Sequence, residues 1–178
     1  IGRSYRDLGQ YEPALAEYKK VEAIAKQLLD LDLESQSLSA AGEVLRIQTQ
    51  YEGALDAYQR ARDLAERHLR QLGLFGPTCR TLNDFQLPGR IQADTARVYR
   101  DQGLVERAND YYQAALAAAK EFPDLELTGR VYVDLGKLYR DQRNFNQSIA
   151  AYQEAVDVAK TSENLEVLGN TYLDTGQV

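Results

Sequence analysis

The side chains best suited to nucleophilic or metal chemistry occur once each in this chain, as His68 and Cys79, eleven positions apart. A thiol–imidazole pair needs a third group to orient it, and a zinc site needs several nitrogen or sulfur ligands. No second histidine or cysteine is present to supply them. His68 stands among Glu66, Arg67 and Arg70, which reads as a solvated helix face. Nothing near Cys79 in sequence would lower its pKa, and a lone cysteine makes no internal disulfide, which favours a reducing, cytoplasmic setting. Carboxylates are plentiful, but no spacing pairs any two as acid and base. Neither a phosphate-cradling glycine loop nor a dinucleotide fingerprint occurs. The glycosylation sequon Asn146-Gln147-Ser148 falls inside a helical pattern and receives no role. No catalytic residue, metal ligand or cofactor is therefore assigned, and the chain is read as a non-enzyme.

Bulk properties narrow the partners. The formal net charge is −6 and the sequence pI is near 4.9, which opposes the long-range attraction that nucleic-acid binding uses. With 44% hydrophobic and 27% charged residues, no apolar run approaches the roughly 18 residues that span a bilayer. Neither a nucleic acid nor a membrane span is expected.

The elements that must position any site come from an internal repeat. A frame starts at a small residue and continues with tyrosine or leucine at offset three, a hydrophobic residue at nine, a small one at twelve, tyrosine at sixteen and a small or branched residue at nineteen. Its copies read Gly2, Tyr5, Tyr11, Ala14, Tyr18, Val21; then Gly42, Leu45, Tyr51, Ala54, Tyr58, Ala61. They continue as Ala96, Tyr99, Val105, Ala108, Tyr112, Ala115 and as Gly136, Tyr139, Phe145, Ser148, Tyr152, Ala155, with a partial fifth at Gly169 and Tyr172. Offsets of three, four and seven mark one stripe of a helix, and a polar break divides each copy, so each predicts two helices. Gly9, Gly103 and Gly176 stand where the first helix needs a left-handed residue to stop; Thr49 and Arg143 hold the equivalent place in the other copies. Glu12, Glu52 and Glu106 then meet the positive end of the second helix. The small residues predict close helix crossings flanked by tyrosine, and stacked hairpins predict an all-α solenoid.

This frame resembles the tetratricopeptide repeat, including the Leu-Gly pairs Leu135-Gly136 and Leu168-Gly169. The tryptophan of that pattern is replaced by Leu38, Gln92, Tyr132 and Leu165, and its closing proline by Lys26, Glu66, Lys120 and Lys160, so second helices should run long. The spacing of 40 from Gly2 to Gly42 and from Ala96 to Gly136 is similar to the long-repeat class. The repeats are placed at about 1–32, 33–72, 90–122 and 124–161, with a partial copy at 162–178, and the whole is read as a segment of a longer protein. Between the second and third copies, residues 73–89 carry Gly73, Gly76, Pro77, Pro88 and Gly89 and are read as an insertion loop. Leu74, Phe75 and Phe85 would either cover the seam between hairpins or form a binding element.

The resemblance implies that the residues one and four after the small position face the concave side of a superhelix, where partner segments bind. Seven of those ten residues are basic: Arg3, Arg6, Arg46, Arg97, Arg100, Lys137 and Arg140. A groove so lined would draw an acidic peptide or protein segment, and arginine's planar fork suits a carboxylate. Asp7, Asp101, Asp141 and Asp174 each follow the outer member of the set, so the same arginines could instead form an inter-repeat ladder with them. The expected function is a non-catalytic scaffold for protein interaction. Self-association through the solenoid ends and a regulatory arm of a larger enzyme or transcription regulator stand as alternatives.

Overall fold

A computed structural model describes the backbone of residues 1–75, 82–162, 171, 172 and 174, and the side chains at 1–73, 86–162, 171, 172 and 174. Among the described residues every regular element is an α-helix: α1 Gly2–Asp7, α2 Tyr11–Leu28, α3 Leu31–Ile47, α4 Tyr51–Phe75, α5 Leu82–Asp101, α6 Val105–Glu121, α7 Leu125–Asp141 and α8 Phe145–Thr161. Each helix packs on the next, α3 also touches α5, and α5 touches α7. The first helices of successive hairpins thus form one layer, and α2, α4, α6 and α8 follow them as the second helices.

Each crossing is built as the small-residue spacing predicts. Tyr18, Tyr58, Tyr112 and Tyr152 are buried against the small residue that opens their own copy. A Cβ on Gly136 would lie 2.4 Å from the Tyr152 ring, one on Gly42 2.9 Å from Tyr58, and one on Gly2 2.7 Å from Tyr18. At these three glycines the ring occupies the place of the missing methyl, whereas in the third copy Ala96 carries one and packs in the same cluster as Tyr112. The offset-twelve residues Ala14, Ala54, Ala108 and Ser148 are fully buried. Ser148 repays its polar atom by donating to the Gly136 carbonyl at 2.8 Å, across the same crossing.

The hairpin turns share one geometry. The N–H of Gly9, Thr49, Gly103 and Arg143 returns to the carbonyl three residues back, and the next N–H to the carbonyl five residues back, which closes the first helix in a left-handed cap. All four residues have positive φ, between 59° and 73°, so Thr49 and Arg143 adopt the conformation that glycine takes in the other two copies. Leu29, at φ 56°, makes the same cap between the first and second hairpins. Asp30, Asp124 and Asn144 then cap α3, α7 and α8 through their side chains. Glu12, Glu52 and Glu106 lie in the first turns of α2, α4 and α6.

Two boundaries differ from the sequence reading. The second hairpin begins at Leu31, capped by Asp30, two residues before 33. More consequentially, much of 73–89 is not a loop: 73–75 finish α4 and 82–89 form the first turns of α5, with Pro88 inside the helix. Tertiary anchoring overrides the Gly/Pro signal. Gly89 is buried where a Cβ would sit 3.1 Å from both Ala118 Cβ and Leu127 Cδ2, so it serves close packing of α5 on α6 and α7. Gln86 donates to the Pro123 carbonyl at 2.9 Å, and Arg90 pairs with Asp124 at 2.9 Å, pinning the same turns to the connection before α7. Residues 76–81 and Cys79, Gly169, Asn170, Leu173 and Gly176 lie outside the described residues, as do the side chains of Leu74, Phe75 and Phe85.

Candidate functional site

The first-helix layer encloses a trough of about 550 Å³, lined by residues of α1, α3, α5 and α7 alone. Its walls follow the repeat. Gln36, Arg90 and Arg130 each stand six residues before the small position of their copy, and Arg3, Glu43 and Arg97 stand one after it. Between them Ala40 and Asp94 stand two before. These offsets differ by three and four, which is one stripe of the first helix. The residues implied at offset one do line the trough in three copies; those at offset four do so only at Arg6.

The seven basic residues are mostly engaged by carboxylates of the same chain. Arg46 pairs with Glu43 at 3.0 Å on its own helix and reaches across to Asp101 on α5. Arg100 holds Asp101 at 3.0 Å and Asp134 on α7 at 3.1 Å. Arg97 holds the other Asp134 oxygen at 2.6 Å and Asp94 at 2.8 Å. One unbroken chain of ion pairs therefore crosses three hairpins, with four carboxylates (Glu43, Asp94, Asp101, Asp134) against three guanidiniums (Arg46, Arg97, Arg100). Lys137 continues the pattern by pairing with Asp174 at 3.0 Å. The ladder expected from Asp7, Asp101, Asp141 and Asp174 thus forms at Asp101 and Asp174. Asp7 and Asp141 turn to their chain neighbours Arg6 and Arg140 instead, at 2.8 and 3.5 Å. Asp134, which the sequence reading passed over, takes Arg97 and Arg100.

Burial and charge split these carboxylates. Burial pushes Asp134 upward, but Arg97 and Arg100 outweigh it and hold the carboxyl below its usual range. Glu43 is likewise held low against its burial by the Arg46 hydrogen bonds. Asp94 is raised: burial dominates, Arg97 opposes, and the charges of Glu43 and Asp134 add to the rise. Arg97 and Arg46 are raised despite burial, by Asp134 and Asp94 and by Glu43 and Asp101 respectively, so both stay protonated. Of the four carboxylates, Asp94, in the trough wall, is therefore the one whose ionised form its surroundings favour least.

Three cations keep an outward share of charge in the trough. Arg3 is exposed and makes no ion pair among the described residues. Arg90 keeps 43% of its side chain exposed beside Asp124, and Arg130 keeps 46% exposed, its contact with Glu126 being loose at 3.8 Å. Only Arg3 belongs to the set read from sequence. Extending the stripe upstream of the small residue, by steps of four and three, would have reached Arg90 and Arg130.

Among the described residues no group of three or more His, Cys, Asp and Glu could hold a metal ion, and no helix is long and apolar enough to cross a membrane. His68 is half-buried on α4, between exposed Arg67 and its neighbours on the helix, and has an interaction partner within the chain.

Comparison with known proteins agrees with this architecture. The chain has the fold of several solved solenoids: BtubC from P. vanneervenii (TM-score 0.69, 16% identity, 91% of this chain and 63% of that one) and apo RapI (0.73, 15%, 98% and 45%). A third is a putative kinesin light chain from Podosopora anserina with nearly identical TPR-like repeats (0.62, 16%, 99% and 84%). The chain thus spans less than two thirds of the length of the first two. No curated protein matches its sequence. The profile described as tetratricopeptide repeat matches residues 1–67 and 91–161, and the chain belongs to that family.

Proposed function

We propose that this segment is a non-catalytic interaction module whose trough receives an extended segment of a partner protein carrying acidic side chains. The observation that carries this reading is the trough itself. It is a continuous hollow walled by the four first helices, in which Arg3, Arg90 and Arg130 present guanidinium groups while Arg46, Arg97, Arg100 and Lys137 are tied into the scaffold. The division of labour follows from pairing. A guanidinium already shared by two carboxylates has little left for a ligand, whereas Arg3, without an ion pair among the described residues, and Arg130, with a loose one, can take a bidentate carboxylate, and Arg90, held by Asp124, offers only its remaining N–H groups. The groups of the trough that pair with one another serve rigidity, and a rigid surface lowers the ordering cost of docking. The trough is no uniform basic field, because Asp32, Glu43, Asp94 and Glu126 also face it. The partner's acidic groups are accordingly spaced to meet Arg3, Arg90 and Arg130 rather than spread along its length.

The test is co-precipitation from cross-linked cells with the native protein beside a variant carrying Arg3→Glu and Arg130→Glu, each at low and high salt. Reversing these two charges leaves both the ladder and the Arg90–Asp124 pair intact, so the variant should fold and lose its partner, and salt should weaken the wild-type complex through screening over about 8–10 Å. Binding that survives both the reversal and the salt refutes the reading. A control with Arg67→Glu and Arg70→Glu, on the exposed part of α4, should keep the partner.

A further inference from the structure

The ladder alternates in sign along its length, running Glu43, Arg46, Asp101, Arg100, Asp134, Arg97, Asp94. Both ends are therefore carboxylates. Glu43 on α3 and Asp94 on α5 also line the trough, so the ladder presents its two acidic ends to whatever occupies that hollow. Their hydrogen bonds are unequal. Glu43 accepts two from Arg46 at 3.0 Å and one from the Tyr58 hydroxyl at 3.2 Å, while Asp101 accepts from Arg46 and twice from Arg100. Asp134 accepts from Arg97 at 2.6 Å and from Arg100 at 3.1 Å. Among the described residues Asp94 accepts one side-chain hydrogen bond, from Arg97 Nη1 at 2.8 Å.

Charged and titratable groups reach Asp94 from every helix packed on α5. Its own helix supplies Arg97, with Arg90 one turn away in the same wall; α3 brings Glu43, α4 the Tyr58 hydroxyl, and α7 Asp134 and Arg130. On α6, Tyr112 stands by Arg97 and Asp134. Arg3 and Arg6 of α1, Asp32 of α3 and Glu126 of α7 complete the charges of the trough. Burial pushes Asp94 up, Arg97 and Arg130 oppose, and Glu43 and Asp134 add to the rise, whereas Glu43 and Asp134 are themselves held low by arginine. Asp94 is thus the ladder's first member to take a proton as the pH falls. A protonated carboxyl keeps a carbonyl oxygen for Arg97, and Arg97 keeps Asp134, so the ladder survives the change.

We propose that Asp94 is a proton-operated switch of the trough: on mild acidification it loses its negative charge, and the hold of the trough on an acidic segment tightens, a role that rests on the trough being the receiver of such segments. The charge removed lies one turn from Arg90 and acts on Arg130, two of the three cations that face outward. At neutral pH it offsets their field. A partly enclosed wall screens a charge less than open water does, so its loss should raise affinity for an anionic ligand about three- to tenfold. No histidine shares the trough, since the single one, His68, lies on α4 outside its lining.

The experiment titrates the whole chain and its Asp94→Asn variant with a capped peptide of cysteic acid residues spaced by glycine and carrying one tryptophan, in a pH series from about 7 to about 4.5. Sulfonates stay ionised throughout, so the probe's charge is constant. The chain has no tryptophan, so fluorescence anisotropy reports the probe alone. Wild-type affinity should rise about three- to tenfold as the pH falls, and Asp94→Asn should bind at pH 7 about as tightly as the wild type does in acid, with a flatter curve. Carbon-detected NMR of the wild type should show the Asp94 carboxyl shifting over the same interval, a readout that needs no variant to fold. A wild-type pH dependence retained in Asp94→Asn, or an Asp94 carboxyl that does not shift, overturns the switch. In either case the acidic-segment reading stands as long as Arg3→Glu with Arg130→Glu abolishes probe binding. A probe that fails to bind at any pH, or that ignores this double reversal, overturns both.

Discussion

Asp134→Asn and Asp94→Asn remove one carboxylate each from the same ion-pair chain, and the structure assigns them opposite consequences. Asp134 is 7% exposed and joins Arg97 and Arg100, so among the described residues it is the one carboxylate linking α7 to the centre of the ion-pair chain on α5. Breaking a buried pair from one side costs about 3–5 kcal/mol when the remaining charge is stranded. Here Arg97 retains Asp94 at 2.8 Å and Arg100 retains Asp101 at 3.0 Å, and asparagine still offers an acceptor. The loss is then about 2–3 kcal/mol, which for a chain of this size is a fall of about 4–12 °C in Tm. Asp94 is the carboxylate whose ionised form the ion-pair chain favours least, raised by burial and by the charges of Glu43 and Asp134 with Arg97 opposing. Its replacement leaves Arg97 with Asp134 at 2.6 Å, so Asp94→Asn should change stability at pH 7 by less than about 0.5 kcal/mol, or raise it.

The pH dependence separates the two further. Asp134 has a folded pKa below the unfolded value of about 3.9, so its contribution is whole above that pH and fades as pH falls through the folded pKa. The deficit of Asp134→Asn should therefore be full at pH 7 and shrink in acid. Asp94 has a folded pKa above the unfolded value, so the wild type loses stability as pH rises through it. Asp94→Asn should thus gain on the wild type between about pH 4 and pH 7. Thermal melts by circular dichroism at those two pH values provide the comparison, and hydrogen exchange should localise the Asp134→Asn defect to α5 and α7, because repeat stacks couple mainly between neighbours. Equal losses from the two variants at pH 7, or an Asp134→Asn melt within about 1 °C of wild type, would refute the opposite roles drawn for Asp134 and Asp94.

Gly136→Ala would put a methyl 2.4 Å from the fully buried Tyr152 ring and should cost about 1–3 kcal/mol in a denaturant titration, although alanine is the better helix former. A midpoint at or above wild type would mean that the ring has room to move. Thr49→Gly relieves a branched side chain at φ 60° and should stabilise by about 0.5–1 kcal/mol after glycine's larger unfolded-state entropy is subtracted. The reverse change at the matching turn, Gly9→Thr at φ 71°, should destabilise by a similar amount, and melting curves of the two variants moving in the same direction would contradict the cap geometry.

What the sequence discloses here depends on how local the cause is. The crossings were legible because each is made inside one copy: Gly42 meets Tyr58, Gly136 meets Tyr152, and the spacing of sixteen recurs. The start of α5 was not, because Pro88 and Gly89 have the composition of a turn, and what makes them helical is remote. Gly89 is small for Ala118 and Leu127, and Gln86 and Arg90 are held by Pro123 and Asp124, more than thirty residues away. No helical period within 82–89 announces such anchors. Left-handed caps at Thr49 and Arg143 are an intermediate case, since the repeat predicts the turn while the residue types argue against it.

The same distinction explains why seven basic residues were visible and their allotment was not. Position in the frame identifies a residue as facing the first-helix layer, but its partner is chosen by the neighbouring copy. Asp101 reaches back to Arg46, whereas Asp141, at the same place in the next copy, leaves Arg100 to Asp134 and turns to Arg140. In copy four the acid two residues before the small position, Asp134, is the one that takes Arg100. Copy three also carries an acid there, Asp94, but it stays on its own helix with Arg97. Packing positions must repeat for the hairpins to nest, so they reveal the fold; the positions that packing leaves free vary from copy to copy, and those decide which charges bind the stack together. The cations left over from that pairing, Arg3, Arg90 and Arg130, occupy two offsets of one stripe. On the proposed function, a partner's carboxylates would be matched by that surplus and not by the total count of basic residues.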